Sequence, residues 1–208
     1  MKSSRFALLK VYDWAIFLPS VRQATLRFNL LTKERGLQML SISDQSLRAY
    51  SHDVSMAQVL ISYNAKGYAQ LHAVAQHYPF SLIHHDLARL ARISLWTEAL
   101  LLTYRGAEES QFFLFYYHLL QWLNDPTLAP ELLDTPFFYY SLVIHGVLPS
   151  HLAEAPSFAQ LVDYDSQTRR AILHAWAENR PKRDAIRQAF LAMLPRAPKS
   201  LASLSRYD

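Results

Sequence analysis

Apolar and polar residues alternate along residues 21–32, where Ala24, Leu26, Phe28 and Leu30 interleave with Gln23, Thr25, Arg27 and Asn29. A period of two sends successive side chains to opposite faces, so this stretch predicts a half-buried strand. Lys33-Glu34-Arg35-Gly36 reads as the following turn, with Gly36 able to take a positive φ, and residues 37–43 as the partner strand. Upstream, residues 6–12 predict a first strand and 14–18 a short continuation before Pro19. Downstream, 56–63 and 68–75 predict a second hairpin across Asn64-Ala65-Lys66-Gly67. Five short strands joined mostly by hairpin turns close naturally into a small OB-like β-barrel. A three-layer α+β sheet is the competing arrangement.

Beyond Pro79 the period changes. Ile83, Leu87, Leu90 and Leu101 fall at helical spacing across 81–104, and Gly106 stands where that helix would stop. A second helix is predicted over about 108–124, closed by Asp125-Pro126. A third begins near Thr135-Pro136, since proline is tolerated in a first turn, and ends at His145-Gly146. Residues 147–156 read as loop and about 158–162 as a short helix. Asp165 or Ser166 caps a helix to about Asn179, and another spans 184–194 before a Pro- and Ser-bearing tail expected to fray. The predicted organisation is α+β: a β-barrel module over 1–79 followed by an all-α domain over 80–208.

Composition sharpens this picture. Hydrophobic residues make up 51% of the 208-residue chain, enough for real cores. The net charge of +4 resolves into +5 over residues 1–79, −7 over 80–165 and +6 over 166–208. Two basic ends around an acidic middle suggest a surface for polyanions, and the expectation is that both ends form one continuous cationic track. The alternative is that these charges only solvate the surface. No apolar run is long enough to span a bilayer, the longest candidate being 112–123, and no secretory leader pattern follows the first residues. The absence of cysteine removes disulfides, thiolate zinc sites and cysteine nucleophiles, and fits a reducing cytoplasm.

Most catalytic chemistry lacks its scaffold. The four glycines, Gly36, Gly67, Gly106 and Gly146, are never clustered, so neither a phosphate-cradling loop nor a dinucleotide fingerprint exists. There is no Gly-x-Ser-x-Gly elbow. Of the nine histidines, His84 and His85 are adjacent and diverge on a helix, His72 and His77 are five apart on a strand, and no His-x-x-x-His pair occurs. Glu108-Glu109 and Asp163/Asp165 sit where acidic residues favour a helix start. The chain therefore reads as a binding protein, with no catalytic residue, metal or cofactor assigned.

Binding chemistry is better represented. Arg22, Arg27, Lys33, Arg35 and Arg48 gather along one predicted strand, its turn and the next loop. With exposed rings such as Tyr12 or Tyr50 they suit single-stranded nucleic acid, cations tracking phosphates and rings stacking on bases. An ordinary solvated hairpin is the bland alternative. Arg169, Arg170, Arg180, Lys182, Arg183 and Arg187 form a second basic cluster, either a phosphate-binding junction or a solubilising helix pair. The rings of 112–123 and of Phe137-Phe138-Tyr139-Tyr140 exceed what one helix face can bury. They predict central, doubly packed helices, or else a partner-binding surface carried by Phe137, Tyr139 and Tyr140.

The order of features resembles one family. Leu30-Leu31-Thr32-Lys33-Glu34-Arg35-Gly36-Leu37 is similar to the Thr-x-x-x-Gly hairpin that joins two barrel strands in the bacterial recombination mediator RecO. Thr97-Glu98-Ala99-Leu100 resembles that family's first long helix, 112–123 its aromatic-led second, and 137–149 its Phe-x-x-x-Leu-Leu-x-x-x-Gly-Tyr-x-Pro stretch. The resemblance spans about residues 5–150. It implies an OB-fold domain with a helical domain, binding and annealing of single- and double-stranded DNA in DNA repair, and cooperation with RecR and single-strand DNA-binding protein to load RecA recombinase. No cofactor is implied; the zinc-binding cysteines of some members are missing. The chain also departs from the family after the hairpin, where 41–48 keeps only Arg48. Thr135-Pro136 stands where relatives carry an arginine pair that anchors a partner's C-terminal carboxylate.

Overall fold

The computed structural model describes residues 9–19, 27–42, 44–64, 68–104 and 109–204. It divides into two compact units, Met1–Phe80 with Gly106–Leu114, and Ser81–Arg105 with Phe115–Asp208. The change of unit after Phe80 lies one residue from the predicted boundary. The sequence pattern gave no sign that the first turns of the second long helix group with the strands.

The fold is mixed α+β, a five-stranded sheet followed by helices. The strands are β1 (Leu9–Leu18), β2 (Arg27–Thr32), β3 (Gly36–Ile42), β4 (Ser55–Tyr63) and β5 (Ala69–Pro79). β1 pairs antiparallel with β2 and β4, β2 with β3, and β4 with β5, while β3 and β5 run parallel, so every strand has two hydrogen-bonded neighbours. Ala15, Phe17, Leu30, Leu40, Ala57, Val59, Ile61 and Leu71, spaced mostly at alternate positions, fill the interior. The stretch read as a loop after β3 instead holds a 3-10 helix, Gln45–His52, begun by the Asp44 carboxylate accepting from Ser46 N–H. Its Leu47 and Tyr50 pack against the strand core. β5 outlasts its predicted end because register shifts opposite Gln58/Val59 and Leu60/Ile61 leave Ala75 and His72 unpaired with β4. Such bulges break the period of two on which the prediction relied.

In the helical unit, Asp86 splits the single predicted first helix into α1 (Ser81–His85) and α2 (Leu87–Thr103) by accepting from Ala88 and Arg89 N–H. Leu87 and Leu101, two of the residues that suggested the helix, are exposed; the buried stripe is Ile93, Leu95, Trp96, Ala99 and Leu100. α3 (Glu109–Leu123) and α4 (Asp134–Ile144) follow, then α5 (Phe158–Asp163), α6 (Ser166–Glu178), α7 (Arg180–Met193) and α8 (Leu201–Leu204). α7 starts a turn earlier than predicted, with Asn179 capping Lys182 N–H and Pro181 in its first turn. The tail does not fray at Pro195: Pro198 is buried, and the Glu98 carboxylate accepts from Lys199 N–H, Ser200 N–H and Ser200 Oγ at 2.8–2.9 Å. Burial pulls the Glu98 carboxyl up, but the bonds from Ser200 and Lys199 outweigh it and leave the group below its ordinary range.

α4 is the central helix, with every residue from Thr135 to Leu142 buried. Phe137 stacks on Trp96 at 5.1 Å and meets Phe190 at 5.6 Å, Tyr139 meets Trp176, and Tyr140 packs on Phe158 while its hydroxyl donates to Pro156 O. Phe137, Tyr139 and Tyr140 are therefore core rings, not a partner-facing surface, because neighbours cover α4 on all sides. Among the described residues no helix is long and apolar enough to cross a membrane.

Two arginines lie within this apolar packing. Arg89 donates to the Asp86 carboxylate, to Leu123 O at the end of α3 and to Leu128 O in the loop beyond. Arg92, with no exposed surface, pairs with Asp134 at 3.2 Å and donates to Ala88 O. Removing one partner of a buried pair strands the other's charge. Arg92→Ala is expected to cost about 3 to 5 kcal/mol in urea unfolding. Asp134→Ala added to it should cost much less than Asp134→Ala alone, the mark of direct coupling.

Candidate nucleic-acid interface

The β2–β3 turn is built by three residues. Gly36 takes φ +63°, a left-handed conformation that a side chain disfavours. Thr32, fully buried, accepts from Arg35 N–H at 3.2 Å and donates to Gly36 O at 3.1 Å through one hydroxyl. Asp13 on β1 accepts from Glu34 N–H at 3.2 Å, and Lys33 N–H donates to Trp14 O at 2.8 Å, which fastens the turn to β1. Burial pushes the Asp13 carboxyl above its ordinary range; the bonds from Glu34 and Trp14 N–H offset this only in part.

That turn holds Lys33 and Arg35 in solvent. The Arg35 guanidinium lies 4.2 Å from the centroid of the Tyr63 ring, a cation–π contact that fixes where its N–H groups are presented. Arg48 is exposed on the 3-10 helix rather than in a loop. The Arg27 backbone pairs with Ser41 on the edge of the same hairpin. Arg22 and the Arg27 side chain lie outside the described residues. Of the two rings expected to be exposed, Tyr12 is 62% exposed, whereas Tyr50 packs against Phe17 and His77. Tyr68 and Tyr78, which the sequence did not single out, are 70% and 50% exposed. Tyr68 stands just before β5, and Tyr78 lies beyond the bulges of β5, where alternation no longer tells inside from outside.

The second basic cluster is largely committed to its own fold. Arg169 lies over the Trp122 ring at 5.0 Å and donates to Leu161 O, Val162 O and Tyr164 O, capping the end of α5. Arg170 donates to Thr127 Oγ1 at 2.7 Å, and Lys182 Nζ to Glu154 O at 2.8 Å. Arg183 contacts the Asp184 carboxylate at 3.4 Å and Ala177 O at 3.5 Å. Arg180 is exposed and Arg187 half-buried. Four of the six residues thus have partners within the helical unit, where carbonyls of helix ends and loops draw in the cationic groups.

The remaining polar candidates have local roles. Asp165 caps α6 by accepting from Gln167 and Thr168 N–H, as its spacing suggested. His72 Nε2 is 2.7 Å from Ser62 Oγ, and no group of three or more potential metal ligands meets among the described residues. Glu108 lies outside the described residues. Thr135 and Pro136 are buried in the first turn of α4. No protein-family model matches the chain, and no curated protein matches it.

Two outcomes test the turn. Thr32→Val strands Arg35 N–H and should cost about 1 to 3 kcal/mol in chemical unfolding of the chain. Asp13, whose folded value is raised, contributes stability that is fully present below its unfolded value and lost as pH rises through the folded one. Asp13→Asn should flatten that component of the stability profile as pH rises above the ordinary aspartate value of about 4.

Proposed function

We propose that this protein is a non-catalytic, DNA-binding recombination mediator that binds and anneals single-stranded DNA and helps load recombinase during repair. The observation that carries this reading is the pinned β2–β3 turn, which keeps Lys33 and Arg35 in water on a unit that also exposes Tyr12 and Tyr68. The motif that forms the turn, Thr32 to Gly36, is also the stretch that resembles the RecO hairpin. Arg48 is a further exposed cation of the same unit; Arg22 and Arg27 are candidates from the sequence alone, and Arg180 and Arg187 are candidates in the helical unit. An OB-type barrel is the finer reading of the first unit. It is supported by the strand order β1-β2-β3-β5-β4, by parallel pairing of β3 with β5, and by the helical turn between β3 and β4.

The partners in this reading follow from the resemblance: DNA, RecR and single-strand DNA-binding protein, in the cytoplasm and without a cofactor. Thr135 and Pro136 replace the relatives' arginine pair, so contact with single-strand DNA-binding protein is not proposed through that position. The alternative of a scaffold acting through Phe137, Tyr139 and Tyr140 is not favoured, because those rings are buried.

The test is a titration of a fluorescent single-stranded oligonucleotide at several salt concentrations. Binding should weaken steeply with salt and show little sequence preference, because each neutralised phosphate releases counterions. Lys33→Ala with Arg35→Ala should reduce the slope of log K against log salt by about 0.7 per lost contact. Absence of binding at low salt would refute the reading.

A further inference from the structure

Three residues of β1 alternate outward. Lys10, Tyr12 and Trp14 occupy every second position, opposite in phase to Ala15 and Phe17, which lie in the strand core. The pairing extends this face sideways. Tyr12, Trp14 and Ile16 are in register with Leu60, Gln58 and Met56 on β4, and these in turn with Ala73, Gln76 and Tyr78 on β5. The bulges in β5 restore this phase, so that Tyr78 reaches Trp14 with ring centroids 6.1 Å apart, and its hydroxyl donates to the Gln76 side-chain oxygen at 3.3 Å. The result is a face of two exposed tyrosines, a partly covered tryptophan and two glutamine amides, with Ile16 buried at the end of the row.

The charges on this face are one-sided. Among the described residues Lys10 is its only charged one, exposed at one end of the row. Lys33, also exposed, is tethered beside Trp14 by its backbone bond to Trp14 O. Asp13, between Tyr12 and Trp14 in the chain, is buried and bonded to the turn, and Glu34 is the one exposed carboxylate of that turn. Aromatic rings with no carboxylate among the described residues of their row, and with ammonium groups alongside, suit a strand of nucleic acid whose base faces are available. In a duplex those faces are already stacked on one another.

We infer that the Tyr12–Trp14–Tyr78 face of β1, β4 and β5 is a base-stacking platform for single-stranded nucleic acid, with Lys10 and Lys33 meeting the phosphates alongside. The inference rests on the DNA-binding reading and deepens it by adding the β1, β4 and β5 face, which shares Lys33 with the β2–β3 turn. Gln58 and Gln76 offer amide donors and acceptors to base edges but no fixed pattern, so the platform is tolerant of sequence.

The experiment compares an oligothymidylate with an abasic oligonucleotide of equal length, both titrated at low salt against the full chain. Wild type should prefer the strand with bases. Tyr12→Ala with Tyr78→Ala should weaken oligothymidylate binding by roughly five-fold or more per ring and leave abasic binding unchanged, so that the preference disappears. Tyr12→Phe with Tyr78→Phe should keep it. Lys33→Ala with Arg35→Ala should weaken both ligands alike. Equal wild-type affinity for the two strands, or an alanine variant that stays folded and binds oligothymidylate normally, overturns the platform while the DNA-binding reading stands. Failure of wild type to bind either strand removes both. Photocrosslinking of a 5-iododeoxyuridine oligonucleotide to wild-type protein needs no variant: crosslinked peptides should contain Tyr12, Trp14 or Tyr78, and crosslinks confined to other segments count against the inference.

Discussion

A guanidinium taken out of water must find acceptors for most of its five donors, or the burial costs several kcal/mol. Arg89 and Arg92 impose that condition on the helical unit. Arg89 reaches the carbonyl that ends α3 and another in the following loop, while Arg92 reaches the aspartate that opens α4. α2 thereby determines where α3 stops and where α4 starts. The aromatic packing around α4 follows from that placement, since Trp96 on α2 and Phe137 on α4 stack only when the two helices are held at this register. Apolar area supplies the driving force, and the arginines select one arrangement of it.

The strand unit meets the same condition on a smaller scale. The turn between β2 and β3 would leave Glu34 and Arg35 N–H groups without helix or sheet partners; Asp13 and Thr32 accept them. Rigid presentation of cations reduces the ordering cost of binding, because the backbone beneath Lys33 and Arg35 is already fixed. The hairpin thus combines a structural requirement with the cationic edge on which the proposed function depends.

Much of this was legible in the sequence. Alternation identified the hairpins, the change of period after Pro79 marked the passage from strands to helices, and Asp165 and Thr135-Pro136 located helix starts. What escaped had physical causes. Bulges at His72 and Ala75 hid the end of β5 and with it Tyr78. Asp86 interrupted a helix whose apolar spacing looked continuous, and Leu87 and Leu101 fitted that spacing yet face water. Arg89 and Arg92, three apart in an apolar helix, were not singled out, and their acceptors at Leu123, Leu128 and Asp134 lie more than thirty residues away in the chain, beyond the reach of local pattern. The second basic cluster is opaque for the same reason: composition counts arginines without saying which carbonyls they serve.

Arg169 makes the last point general. Its side chain closes the end of α5 through three backbone oxygens and rests on an indole, yet it still adds a full unit to the net charge. Retention of this protein on a cation-exchange resin therefore reports more positive charge than a ligand can grip. A lysine at 169 would keep the molecule's electrophoretic mobility while losing the forked geometry that one planar group provides for several oxygens at once.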